Sequence, residues 1–103
     1  MADFMKILQQ AQEMQARFQK LQEELQQQTV TAASGGGMVT VEANGQGTIK
    51  SIKIDPSVVN SSDVEMLEDL LLVAVTEAQK KAQESAQAEM GKLTGGLPFK
   101  LPF

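Results

Sequence analysis

Few side chains in this sequence could do covalent or metal chemistry, and the missing types decide more than those present. The 103 residues include no Cys, His, Trp or Tyr. Without a thiolate or an imidazole, no zinc centre, Cys or Ser–His nucleophile, or His general base can be assembled. Glu65, Glu68 and Asp69 stand at i, i+3, i+4 spacing and could together face a hard cation. No further oxygen ligands are placed to complete such a site, and acids gather at helix starts for dipole reasons alone, so a solvated face is expected. A carboxylate-pair glycosidase would also need a cleft that so short a chain can hardly form. Ser34-Gly35-Gly36-Gly37 could suggest a phosphate cradle, but no Lys-Ser/Thr follows and the next segment reads as a strand. A flexible hairpin turn is the expectation there. The chain reads as a non-enzyme with neither metal nor cofactor.

What remains is positive charge that could meet phosphate. On a helix turning 100° per residue, Lys6, Arg17 and Lys20 project within about 60° of one another. Glu13 and Glu24 share that stripe at i,i+4 spacing from Arg17 and Lys20, so surface salt bridges explain it equally well. Lys80, Lys81 and Lys92 form a second basic group. The net charge of −4 opposes nucleic-acid binding, and residues 57–90 carry seven acidic groups against two basic ones. Any phosphate contact must therefore be local, away from Asp63–Asp69 by more than a Debye length of about 8–10 Å. Gln12, Gln15, Gln19, Gln22 and Gln26 on the other flank could bond bases, backbone or another helix.

These groups need long helices to carry them, and two are predicted. From Phe4 to about Gln28 there is no Gly or Pro, and helix formers dominate. Phe4, Ile7, Ala11, Met14, Phe18, Leu21 and Leu25 repeat at 3-4-3-4-3-4 spacing, the a/d seam of a coiled coil. At about 1.5 Å per residue that helix is about 40 Å long, and its seam requires a partner helix from this chain or another. The second helix is predicted to begin at a capping box, Ser62-Asp63-Val64-Glu65, and to end at Gly91. Leu70–Val75 is apolar on every side, with Leu72 and Val73 roughly opposite the Leu67/Leu71/Ala78 face. The chain's own sheet and first helix could cover both sides. A second subunit is the favoured cover, because so small a chain has little else to offer. Leu70, Leu72 and Val73, with Phe18 and Leu21 of the seam, are thus candidate dimer-interface residues.

Between the helices, three alternating segments predict an antiparallel meander. Thr29–Ala32 is the first strand and Met38–Ala43 the second, with Val39, Val41 and Ala43 on one face. Asn44-Gly45 signals a hairpin whose two residues both tolerate positive φ. Thr48–Ile54 is the third strand, with Ile52 and Ile54 inward. Ile49 is out of phase, which implies a bulge near Lys50 or a sheet covered on both sides. Asp55-Pro56 reads as an N-cap and N1 pair. The expected architecture is α+β, α-β-β-β-α, as a single domain over residues 1–93. Residues 94–103 form an apolar tail that is not helical. Its Leu97, Phe99, Leu101 and Phe103 point to docking on the protein or capture of a protein partner. No apolar run exceeds six residues and no signal-peptide h-region is visible, so a cytoplasmic protein with no membrane contact is expected.

The order and spacing of several segments resemble the YbaB/EbfC family of bacterial nucleoid-associated proteins along essentially the whole chain. The carriers are Met5-Lys6 with Ala11–Gln15, then Ser34–Val41, Asn44-Gly45, Ile54–Ser57, Glu65–Leu70 and Met90–Pro98. The resemblance implies a tweezer-shaped homodimer with projecting helical arms, duplex DNA as partner, and a role in nucleoid organisation or gene expression. It moves Lys6, Arg17, Lys20, Lys80, Lys81 and Lys92 from solvated surface to candidate DNA contacts, although the family lends no sharp contact motif. Val75-Thr76-Glu77 and the acidic balance depart from its usual pattern. The rival expectation is a structural or adaptor protein that binds another protein through its long helices and tail.

Overall fold

A computed structural model describes residues 2–94. The order is α1 (Ala2–Gln27), β1 (Val30–Ser34), β2 (Val39–Ala43), β3 (Ile49–Ile54) and α2 (Val64–Thr94), with short 3-10 turns at Gly35–Gly37 and Pro56–Val58. The strands pair antiparallel in the order β1-β2-β3, so the predicted α-β-β-β-α meander is the observed one.

α2 lies mainly across β1 and β2 and covers β3 only at its margin. Its contact stripe is Ala74 and Ala78, packed against Ala32, Val39, Val41 and Ala43 of the sheet, and Ala82 one turn on is equally inaccessible. Methyl side chains let the helix axis come close to the strands. The largest fully buried side chains are accordingly only Val39 and Val41. Two long-range polar bonds flank this stripe. Ser34 Oγ donates to the Leu70 carbonyl at 2.6 Å, and Lys81 Nζ donates to the Thr31 carbonyl at 2.7 Å.

β2 and β3 shift register between Glu42 and Ala43: Glu42 faces Ser51 while Ala43 faces Ile49. Lys50 is therefore the extra residue of a bulge, the first of the two arrangements that the out-of-phase Ile49 implied, and Ile49 turns back onto the core. The β2–β3 connection differs from the expected two-residue hairpin. Neither Asn44 nor Gly45 has positive φ; Gly47 does, at 87°. Asn44 N–H donates to the Thr48 carbonyl and Gly47 N–H to the Asn44 carbonyl, closing a three-residue loop with its left-handed residue last. The Asn44 carboxamide oxygen accepts from Gln46 and Thr48 N–H and holds the loop from within.

Gly45 has a different task. Its N–H donates to the Leu25 carbonyl at 2.7 Å. A Cβ there would stand 2.6 Å from Gln28 Oε1, 2.8 Å from the Leu25 carbonyl oxygen and 2.9 Å from Leu25 Cδ2. The loop thus grips the end of α1 by backbone, and Gln46 Nε2 adds bonds to the Gln22 carbonyl and Gln22 Oε1.

Both helix ends of α2 correct the sequence reading. Asp63, not Ser62, is the N-cap: its Oδ1 accepts from Met66 N–H at 3.2 Å, while the Ser62 hydroxyl donates to Asn60 Oδ1. At the other end the helix runs through Gly91 to Thr94, because Gly91 keeps negative φ and no left-handed cap forms there. Thr94, placed in the tail by sequence, is the last helical residue; Gly95–Phe103 lie outside the described residues. At Asp55 the expected cap is present. Its Oδ1 accepts from Ser57 N–H at 2.9 Å, and this bond holds its carboxyl below the ordinary Asp range.

The described residues extend 73 × 22 × 16 Å. Most of that length is helix projecting from the sheet, not core.

Candidate nucleic-acid interface

α1 and α2 run antiparallel along their shared length. Ser85 Oγ donates to Gln28 Oε1 at 2.9 Å, and further out Arg17, Lys20, Leu21 and Glu24 share one hollow with Glu89, Lys92 and Leu93. The 3-4 seam explains the contact, since Leu21 and Leu25 turn into it and are only 5% exposed. Toward its N-terminus the same seam emerges from cover, and Phe4 and Ile7 are each 60% exposed.

This pairing gathers three of the six candidate cations. Arg17, Lys20 and Lys92 surround one hollow. Lys92 is paired with Glu89 at 3.3 Å, on an exposed flank. Among the described residues that is the sole ion pair, so the expected Glu13–Arg17 and Lys20–Glu24 bridges are not formed. Arg17 and Lys20 keep their charges directed to solvent.

The other three candidates lie elsewhere. Lys6 is separated from the Arg17 side of its expected stripe: it stands about 16 Å further along α1 than Arg17, at 1.5 Å per residue. Lys92 stands level with Arg17 across the shared hollow. Lys81 sits back over the sheet, where it donates to Thr31, and Lys80 is exposed beside it. On the sheet Lys50 Nζ donates to Thr29 Oγ1 at 2.9 Å.

A second surface lies on the opposite side of α2. Ile52 and Ile54 do point to the inner face of the sheet, opposite Val41 and Val39. Because α2 covers β3 only at its margin, Ile52 remains 46% exposed. With Leu71, Leu72 and Val75 it lines an apolar hollow rimmed by Glu68. Leu72 is 67% exposed and Val73 is also exposed, so neither the chain's sheet nor its first helix covers them. Leu70 is half-buried over Gly35, and Leu21 is buried within its own chain. Phe18 is partly exposed on the seam. The sequence reading missed the contribution of β3 to this hollow, since alternation marks a face as inward without saying whether a helix reaches it.

Glu65, Glu68 and Asp69 are exposed on the first turns of α2. Among the described residues no group of three His, Cys, Asp or Glu could hold a metal ion, and no helix is long and apolar enough to cross a membrane. Gly35–Gly37 is a 3-10 turn joining two strands, not a loop leading into a helix.

Two antiparallel long helices around a three-stranded meander define a fold shared with a crystal structure of an uncharacterized protein, HP0035, from Helicobacter pylori. The match has a TM-score of 0.81 at 28% identity, covering 89% of this chain and 97% of that one. Among curated proteins, a nucleoid-associated protein of Gemmatimonas aurantiaca is 55% identical over 103 residues, 98% of this chain and 99% of its own length. One from Thermodesulfovibrio yellowstonii is 60% identical over 99 residues, covering 96% of this chain and 85% of its own. The model of the YbaB/EbfC DNA-binding family matches residues 1–97, and the chain belongs to that family.

Proposed function

We propose that this protein binds duplex DNA as a homodimer, mainly through phosphates, and serves nucleoid organisation or gene expression in the bacterial cytoplasm. The observation that carries the reading is the meeting of Arg17, Lys20 and Lys92 on one flank of the helix pair, with Arg17 and Lys20 free of carboxylate partners. A guanidinium and an ammonium held on a rigid helix supply strong phosphate contacts without base readout. Dimerisation through Ile52, Leu71, Leu72 and Val75 covers an apolar face that the single chain leaves to water, and it doubles the number of cations. The nucleoid role follows the names of the relatives and the family.

The test is a gel-shift titration on duplex DNA at several salt concentrations. Arg17→Glu with Lys20→Glu removes two cations per chain, four per dimer. At about 0.9 per phosphate, the slope of log K against log salt should flatten by up to about 3.6. The loss should be similar across DNA sequences, and the dimer should persist. Lys50→Glu with Lys53→Glu should do much less. If the strand pair proves the sensitive one, the sheet is the DNA face and the helical-flank reading fails.

A further inference from the structure

Asn44 and Gly45 are the one Asn-Gly pair of the chain, and both are buried. Such a pair can modify itself, because no side chain on the glycine hinders approach of its nitrogen to the neighbouring carboxamide. The Gly45 nitrogen gives up its proton and attacks Asn44 Cγ, forming an N–C bond. The Cγ–Nδ2 bond then breaks, and Nδ2 takes up a proton and leaves as ammonia. A five-membered succinimide remains, and water opens it at either carbonyl to give Asp or isoaspartate. The sum is Asn and water to ammonia and an acid, with no oxidant or reductant.

The β2–β3 loop prepares one half of this reaction and blocks the other. Asn44 Oδ1 accepts from Gln46 N–H at 2.9 Å and from Thr48 N–H at 3.0 Å. Two backbone donors on a carbonyl oxygen stabilise the negative charge it gathers when a nucleophile adds to its carbon. The nucleophile is held back. Gly45 N–H donates to the Leu25 carbonyl at 2.7 Å, so the proton that must leave is engaged by α1. Leu25 and Gln28 close over the glycine too tightly to admit a methyl, and Gln22 holds Gln46 beside it. We propose that Asn44-Gly45 is a self-deamidation site whose carboxamide is activated by the hairpin and whose nitrogen is locked by the end of α1.

Release of α1 and ring closure drive each other in one direction. The succinimide nitrogen bears no hydrogen, so the Leu25 carbonyl loses its donor as soon as the ring forms. Isoaspartate then routes the main chain through the side-chain methylene and lengthens the loop between Asn44 and Gly45. The Gly45 N–H no longer falls on Leu25 while Asn44 and Thr48 remain paired, and α1 is left without this backbone anchor. Each converted chain also adds a negative charge to a net charge of −4. Asn60 provides a contrast within the chain. Its Oδ1 accepts from Ser62, but it lies on the exposed β3–α2 connection and is followed by a serine. The inference does not depend on DNA binding.

Peptide mapping of the full-length protein held at mildly alkaline pH reads conversion at Asn44, with Asn60 as internal reference. Leu21→Ala with Leu25→Ala removes the buried side chains that seat the end of α1. Each truncation shifts that seating by about tenfold or more, so conversion at Asn44 should rise at least about tenfold. Conversion at Asn60 should match the parent, and the Val41 amide should stay protected from exchange. The parent provides a second measure that needs no folded variant. Its Asn44 conversion should follow opening of the Gly45 amide in hydrogen exchange and exceed the rate that global unfolding, read at Val41, allows. An unchanged Asn44 rate in the folded variant, an equal rise at Asn60, or parent conversion no faster than global unfolding allows would each overturn the proposal.

Discussion

Replacing Gly45 by Ala should loosen α1 from the sheet, and the size of the effect follows from the contacts. The added methyl would meet Gln28 Oε1, the Leu25 carbonyl oxygen and Leu25 Cδ2, all inside 3.0 Å. The Gln28 amide can swing away, but the carbonyl is fixed in the last turns of α1. Forcing a methyl into such a site costs about 1–3 kcal/mol. Separating the two segments also weakens the Gly45 N–H bond to Leu25, worth about 1 kcal/mol. Against this, φ at Gly45 is not positive, so Ala gains about 0.4–1 kcal/mol by restricting the unfolded chain. The net is about 2 kcal/mol of destabilisation, or about 10 °C in Tm for a domain of this size. Thermal unfolding followed by far-ultraviolet circular dichroism measures it. Adding Gln28→Ala should restore only part, since the Leu25 carbonyl remains. A Tm within about 2 °C of the parent would refute the claim that close approach, not backbone conformation, requires glycine here.

Three further outcomes are expected. Asp63→Ala should cost about 1 kcal/mol in urea unfolding through loss of the cap on Met66, while Ser62→Ala should be nearly silent; the reverse order would restore Ser62 as the cap. The Asp55 carboxyl, followed by NMR, should titrate below the ordinary Asp range because Ser57 N–H bonds its charged form. Its lowered folded pKa means that its contribution is present above the unfolded pKa and lost as pH falls through the folded value, and Ser57→Pro should raise the midpoint. Leu72→Lys should leave the fold intact, since Leu72 is exposed in the single chain, and should shift light scattering from twice the chain mass to one; an unchanged dimer would rule out this face.

The elements were legible wherever periodicity governed them. The α1 seam and the alternation of β2 each have one physical solution, and helix and strand stand where those patterns require; the out-of-phase Ile49 allowed a bulge or a doubly covered sheet, and the bulge is what forms. The misreadings fall where two local solutions compete. Ser62 and Asp63 can both cap, and the choice rests on which oxygen reaches Met66 N–H. Gly91 could end a helix, yet α2 passes through it with ordinary φ. In the hairpin the left-handed residue is Gly47, while Gly45 answers to α1, a segment distant in sequence. The candidate site was legible only as charge. That Arg17, Lys20 and Lys92 converge depends on how far α2 extends and how the helices are staggered. Lys81 reaches a strand carbonyl that no local pattern could reveal.

The alanine stripe of α2 has a consequence for how the helix is indexed on the sheet. Ala74, Ala78 and Ala82 repeat every four residues, so their surface is nearly unchanged by a slide of one turn, about 6 Å. A uniform rail stabilises every stop along it almost equally and cannot choose among them. The choice falls to non-repeating features at either end: Leu70 seated over Gly35 with Ser34 on its carbonyl, and Lys81 on Thr31. A slip would bring Met66 or Ala74 over Gly35 and carry Lys81 off its strand. Fixing this index also fixes where α2 ends against α1, and so which cations stand level. The polar bonds along the rail thereby set the phasing of charge on the arm, a form of control exerted at the sheet and read out at Lys92 about 16 Å beyond Lys81 along the helix.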